Sequence, residues 1–204
     1  LCDVTGDFVT GIKELSRVLA VRGKVLPASD QAVVLKAIMT DGTEVVGESN
    51  IPLAGKRIQR LSLLPSDVAA NQEAVDEILA ADCLIVGPGS IYTSLLPNLL
   101  VKGLAEAFIR STALKLFVCN LMTQPGESDG LSAAEHVNVL VQHVGHRLFD
   151  CIIVNRAELP AAVLQQYAAK GAQPVEPAEQ ALLAMGYDVV AEELVSSGTY
   201  LRHD

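Results

Sequence analysis

Three apolar runs, each closed by a polar loop and followed by a helical stretch, constrain this chain more than any other feature. Cys83 to Val86 leads into Gly87-Pro-Gly-Ser90 and a helical stretch through Arg110. Leu114 to Cys119 leads into the loop from Asn120 to Gly130, after which Ser132-Ala-Ala-Glu135 has capping-box spacing and opens a helix to about His143. Phe149 to Val154 leads into Asn155 and a helix from Ala161 to Lys170, stopped by Gly171. Short, near-continuous aliphatic runs read as strands buried on both faces, and strand–loop–helix repeats join such strands by right-handed crossovers. The predicted fold is therefore α/β, with an open, mainly parallel sheet.

The part before the repeat follows different rules. Asp7 can cap a helix carrying Phe8, Ile12, Leu15 and Leu19 at helical spacing and closing near Gly23. Val33 to Thr40 and Thr43 to Gly47 flank Asp41-Gly42 and predict a β-hairpin with a type I′ turn. Arg57 to Leu64 alternates as a strand that Pro65 ends, and Asn71 to Ala81 reads as a helix with Val75, Ile78 and Leu79 inward. The hairpin does not fit a doubly wound sheet and is expected as an antiparallel edge or a small lobe. Leu1 begins the chain without a methionine, and the chain stops after a strand-like Thr199-Tyr-Leu201, so a natural protein of greater length is expected.

Composition narrows the function. Half of the 204 residues are apolar and only 19% are charged, which excludes a disordered chain. There is no Trp, with four Phe and four Tyr, so the core is expected to be aliphatic. The net charge is −9 and no Lys/Arg cluster interrupts it, which argues against nucleic acid and anionic membrane as partners. Cys2, Cys83, Cys119 and Cys151 form no CxxC pair and read as small core residues of a reduced, cytoplasmic protein, at least three of them in buried strands. No run of about 18 apolar residues is available to span a bilayer. One domain over residues 1–204 is expected, and a homodimer is compatible with it.

Ligands of open α/β sheets bind beyond the carboxyl ends of the strands, which selects three loops. In the first, Gly87, Pro88, Gly89 and Ser90, with Thr93 and Ser94, can bring backbone N–H groups and hydroxyls to a helix N-terminus that favours a phosphate. The same residues also make an ordinary strand-to-helix turn capped by Ser90. Neither a GxxxxGK[ST] loop nor a GxGxxG fingerprint is present. In the second loop, Asn120, Thr123 and Gln124 suit a nucleobase or sugar edge, and Glu127 and Asp129 can hold a hydrated Mg²⁺ or lie in solvent. The third contributes Asn155. His136 and His143 share a helix face without a third ligand at metal spacing, and read as a solvated face. No GxSxG elbow occurs, so hydrolase chemistry has no sequence support.

Three segments together resemble the gluconeogenesis factor family, a branch of the CofD-like superfamily: CLIVGPGSIYTSLLPNLLVK (83–102), VCNLMTQPGESDGLSAAEHV (118–137) and the terminal YLRHD (200–204). The GESNIP segment at 47–52 fits as well. The resemblance implies a Rossmann-like three-layer sandwich, with the hairpin added and the family's N-terminal strand and glycine-rich loop missing. It implies a binder of UDP-sugars, such as UDP-N-acetylglucosamine, acting in bacterial carbon metabolism, cell-wall synthesis and cell shape. Gly87, Gly89, Ser90, Thr93 and Ser94 would then face the diphosphate, with Asn120, Thr123 and Gln124 beside it. Tyr167 and Arg202 would be the sugar-nucleotide contacts, by stacking and by bidentate pairing. The alternative implied is a CofD-type transferase passing a phospholactyl group from a guanylylated donor to a deazaflavin with Mg²⁺. A third possibility is a structural α/β domain with well-capped loops.

Overall fold

The computed structural model describes residues 10–11, 23–196 and 202–203, and for Ser196, Arg202 and His203 the backbone alone. Apart from residues 10, 11 and 23, the predicted helix over 7–23 lies outside the described residues, as do the predicted strand at 199–201 and Cys2.

Strands β1 (Val34–Met39) and β2 (Glu44–Val46) form the expected hairpin, and β3 (Ile58–Leu64) pairs antiparallel with β1, giving the order β2-β1-β3. Alternation decides which face is buried. Leu35, Ala37 and Met39 of β1 and Leu61 and Leu63 of β3 point inward, while Lys36 on the outer face pairs with Glu44 at 2.7 Å. The turn is not type I′. Gly42 alone takes positive φ (84°), its N–H bonds Met39 O at 2.9 Å, and Met39 N–H bonds Thr43 O at 2.8 Å. This is a three-residue loop, in which Asp41 stays out of the left-handed region and its carboxylate accepts from Thr43 N–H at 2.9 Å instead. A short helix α1 (Asn50–Leu53) links β2 to β3.

Helix α2 (Gln72–Ala80) starts at Asn71, whose side chain accepts from Ala74 N–H. Val75 and Ile78 pack on the core as expected, whereas Leu79 is turned outward and 40% exposed, because the helix lies at the rim and buries only a narrow stripe. The repeat then builds the second sheet. Strands β4 (Cys83–Val86), β5 (Leu114–Val118), β6 (Cys151–Asn155) and β7 (Asp188–Glu192) pair in parallel in that order. Between β4 and β5 the expected single helical stretch is divided. It comprises a wide π-type turn at Ile91–Leu95, then α3 (Leu96–Leu100), then α4 (Lys102–Arg110), with Val101 extended between the last two. Helix α5 (Ala133–Val144) begins with the predicted Ser132/Glu135 capping box. Helix α6 (Ala161–Ala168) follows β6. Helix α7 (Glu179–Ala184) and strand β7 add a fourth repeat that the sequence reading had not separated. Strands β8 (Val195–Ser196) and β9 (Arg202–His203) pair antiparallel.

The register places Val86, Phe117, Ile152 and Val189 in one row on the face that meets the helices. The core is mostly aliphatic, yet its centre is aromatic: Phe117 stacks on Phe149 at 5.2 Å, and Phe108 meets Phe149 edge-on at 6.1 Å. Each such ring contributes about 1.5–3 kcal/mol by burial. Buried residues of both sheets belong to one continuous core, so the antiparallel part is a second sheet sharing that core. The cysteine expectation fails for Cys83, which is exposed on the edge strand β4, and Cys151 is only half-buried; Cys119 is buried. Among the described residues no helix is long and apolar enough to cross a membrane.

Candidate functional site

The carboxyl ends of β4 and β5 open into a cavity of about 690 Å³. Pro88, Gly89 and Ser90 supply one part of its lining, Asn120 to Pro125 a second, and Tyr167, Lys170 and Ala172 a third. Of the twelve residues expected at the site, Pro88, Gly89, Ser90, Asn120, Thr123, Gln124 and Tyr167 therefore share one cavity. Tyr167 reaches it from α6, a helix with no fully buried residue.

The chain ties these segments together by hydrogen bonds. The Asn120 amide clamps the Gly89 peptide from both sides, accepting from its N–H at 2.9 Å and donating to its carbonyl at 2.8 Å. Thr123 N–H donates to Gln173 O at 2.7 Å, and its hydroxyl oxygen accepts from Gln173 N–H at 2.9 Å. Gln124 donates to Glu127 at 2.6 Å. Asn120 and Thr123 thus hold the lining in place with the groups that had suited them to a base edge.

The turn after β4 is more self-satisfied than its glycines suggest. Thr93 N–H goes to Ser90 Oγ at 3.1 Å, and Ser94 and Leu95 N–H both reach Ser90 O, at 3.0 and 2.9 Å. The amides of Ser90, Ile91 and Tyr92 take no partner among the described residues. Ser90 and Thr93 also turn their hydroxyls to the buried Glu127 carboxylate, the latter at 3.0 Å. Gly87, Thr93 and Ser94 do not line the cavity, and Gly87 borders an apolar hollow of about 320 Å³ instead.

Asn155 is the clear departure. Its side chain accepts from Ala157 and Leu194 N–H and donates to Ala157 O, stapling the end of β6 to the chain after β7. It does not line the cavity. The Arg202 side chain lies outside the described residues. Glu127 and Asp129 are both spent on internal hydrogen bonds, Asp129 accepting from Gly126 N–H at 2.7 Å. Among the described residues no three His, Cys, Asp or Glu side chains converge as a metal set. Glu127 borders a neighbouring cavity of about 500 Å³ that also touches Lys56, Arg57 and Tyr92.

The loop carrying Gln124 and Glu127 is fixed by Gly126. It sits at φ 79°, and a β-carbon there would fall 2.2 Å from the Pro52 carbonyl oxygen of α1. Beneath the site, burial pushes the Cys119 thiol up to about 12, so it stays a neutral thiol. The histidine expectation is overturned. His136 is fully buried with Nε2 unpartnered, and His143 is half-buried, its Nε2 accepting from Leu61 N–H at 3.0 Å. Burial holds both below the usual histidine range. Their helix face meets α3, the π-type turn and β3 rather than water, which the sequence spacing of an amphipathic helix leaves undetermined.

Five lining residues lay outside the expected set, Leu121, Met122, Pro125, Lys170 and Ala172, and Lys170 is the charged one among them. Lys170 stands three residues after Tyr167 and one before Gly171, both of which had been singled out, and that spacing was the available signal.

A family model described as 2-phospho-L-lactate transferase CofD matches residues 1–195. The gluconeogenesis factor of Halalkalibacterium halodurans is 45% identical over 205 residues, which cover 100% of this chain and 64% of that protein. The gluconeogenesis factor of Bacillus subtilis is likewise 45% identical, with 100% and 65% covered. A crystal structure of a member of the UPF0052 family from Bacillus halodurans, 45% identical, superposes with a TM-score of 0.95 over 100% of this chain and 65% of that one. The chain thus spans less than two thirds of the length of these relatives.

Proposed function

The chain belongs to the CofD family, and from that premise we propose that its cavity binds a nucleotide diphosphate of the UDP-N-acetylglucosamine or UDP-glucose type. The observation that carries this reading is the meeting of Ser90, Tyr167 and Lys170 on one cavity beyond two parallel strand ends. An aromatic ring can stack on a base or sugar, and hydroxyls, free amides and a cation suit phosphate oxygens. The protein acts in this reading as a regulator of gluconeogenic growth in a bacterium, coupled to cell-wall synthesis and cell shape. The name of the relatives supports the first part. The family resemblance implies Arg202 as a further contact of this ligand.

The description of the family model favours a second reading, phospholactyl transfer from a guanylylated donor with Mg²⁺. One panel separates the two. UDP-N-acetylglucosamine is expected to raise the melting temperature of the protein, because a ligand selective for the native state stabilises it by mass action. Tyr167→Ala is expected to remove most of that rise while leaving the ligand-free melting temperature close to wild type, since Tyr167 is only half-buried and α6 has no fully buried residue. Absence of any shift with UDP-sugars would overturn the proposal. Mg²⁺-dependent product from a lactyl-diphosphoguanosine donor would establish the transferase instead.

A further inference from the structure

We infer that Lys170 is the phosphate-recognising cation of this cavity and sets its preference for a diphosphate over a monophosphate. The inference rests on the nucleotide reading above. The turn after β4 carries no cationic side chain. Its Gly89, Thr93, Ser94 and Leu95 amides are consumed by the protein and the Ser90 hydroxyl is engaged by the Glu127 carboxylate, which leaves the amides of Ser90, Ile91 and Tyr92, neutral donors, for a ligand. A buried carboxylate one side chain behind the lining adds repulsion for an anion, on a chain whose net charge is already −9. A phosphate oxygen entering here needs a positive side chain at contact distance, because the long-range field is unfavourable and screened within about 8–10 Å.

Lys170 is the single charged side chain among the described residues that line the cavity. It has no ion-pair or hydrogen-bond partner for its ammonium among the described residues, whereas Lys24, Lys36 and Lys56 are each paired with a carboxylate. Its backbone is held. Lys170 N–H bonds Tyr167 O at 2.9 Å and Ala172 N–H bonds the same carbonyl at 3.0 Å. The next residues are laced to the second lining segment through Thr123–Gln173 and through Val175 N–H to Leu121 O at 3.0 Å. An ammonium on a short, pinned turn, lining the same cavity as the tyrosine ring and without a partner among the described residues, fits the β-phosphate of a ligand whose base or sugar lies on Tyr167. A competing role exists, since a lysine just past α6 also complements the helix C-terminus.

The test measures dissociation constants of UMP and UDP by calorimetry for the wild-type protein, Lys170→Gln and Lys170→Arg at two salt concentrations, together with ligand-free melting temperatures. The expected result is that Lys170→Gln weakens UDP about tenfold, weakens UMP much less and flattens the salt dependence, while Lys170→Arg keeps most of the preference. Equal loss of both ligands, an unchanged UDP-to-UMP ratio, or a lowered ligand-free melting temperature with unchanged binding would assign Lys170 to packing or to the helix end and overturn the inference while leaving the nucleotide site standing. Failure of the wild type to bind either ligand would overturn the nucleotide reading and this inference with it.

Discussion

His143→Phe isolates a contact that joins the two sheets of this protein. In the native structure the His143 Nε2 accepts from Leu61 N–H at 3.0 Å, and its Nδ1 contacts Val139 O at 2.7 Å, so the neutral ring carries its proton on Nδ1. Leu61 lies on β3, an edge strand of the antiparallel sheet, and the imidazole satisfies an amide on that edge. Phenylalanine keeps a ring for the edge-on contact with Tyr92, at 6.0 Å and 79°, but offers no acceptor. Stranding one partly buried amide costs about 1–3 kcal/mol. At about 2–4 °C per kcal/mol for a chain of this size, the melting temperature falls by about 2–12 °C at neutral pH. Burial, with the charge of the Arg60 guanidinium, disfavours the protonated ring and outweighs the Val139 carbonyl, which favours it, so His143 is held below its usual range. Folded-state depression means that the unfolded chain takes up the proton first. The stabilisation is then complete above the unfolded value of about 6.5 and is lost as pH falls from there through the folded value. Melting curves recorded from about pH 8 down to about pH 5 should therefore show wild type and variant converging toward acid. Parallel curves, with the same gap at every pH, would refute the reasoning.

His136 is fully buried with Nε2 unpartnered, so His136→Leu, of similar bulk, is expected to leave urea stability unchanged or raise it by about 1 kcal/mol, and to reduce the acid sensitivity further. Gly126→Ala is expected to cost more than about 1 kcal/mol, since it adds positive-φ strain to a β-carbon 2.2 Å from Pro52 O; it should also weaken nucleotide binding through the Gln124–Glu127 loop, read by calorimetry beside urea unfolding.

The sequence by itself determined the elements whose causes are local. The Ser132/Glu135 capping box, the aliphatic strands at 83–86, 114–118 and 151–155, and the hairpin around Asp41-Gly42 each depend on residues within a few positions of one another. It also pointed to the carboxyl ends of β4 and β5, where a cavity opens, because the connections of a parallel sheet leave a crevice there. Tertiary structure decided what depends on distant partners. Asn155 and Asn120 follow strands in the same way, yet one staples Leu194 and the other clamps Gly89, a difference set by which strand lies next to β4. His136 and His143 have the spacing of a solvated face, and only the packing of α5 against α3 and the π-type turn, with the Leu61 amide on His143, put them inside. Lys170 gained its place on the cavity because residues 171–175 hydrogen-bond to 121–123 some fifty positions earlier, a pairing that no periodicity in either segment encodes.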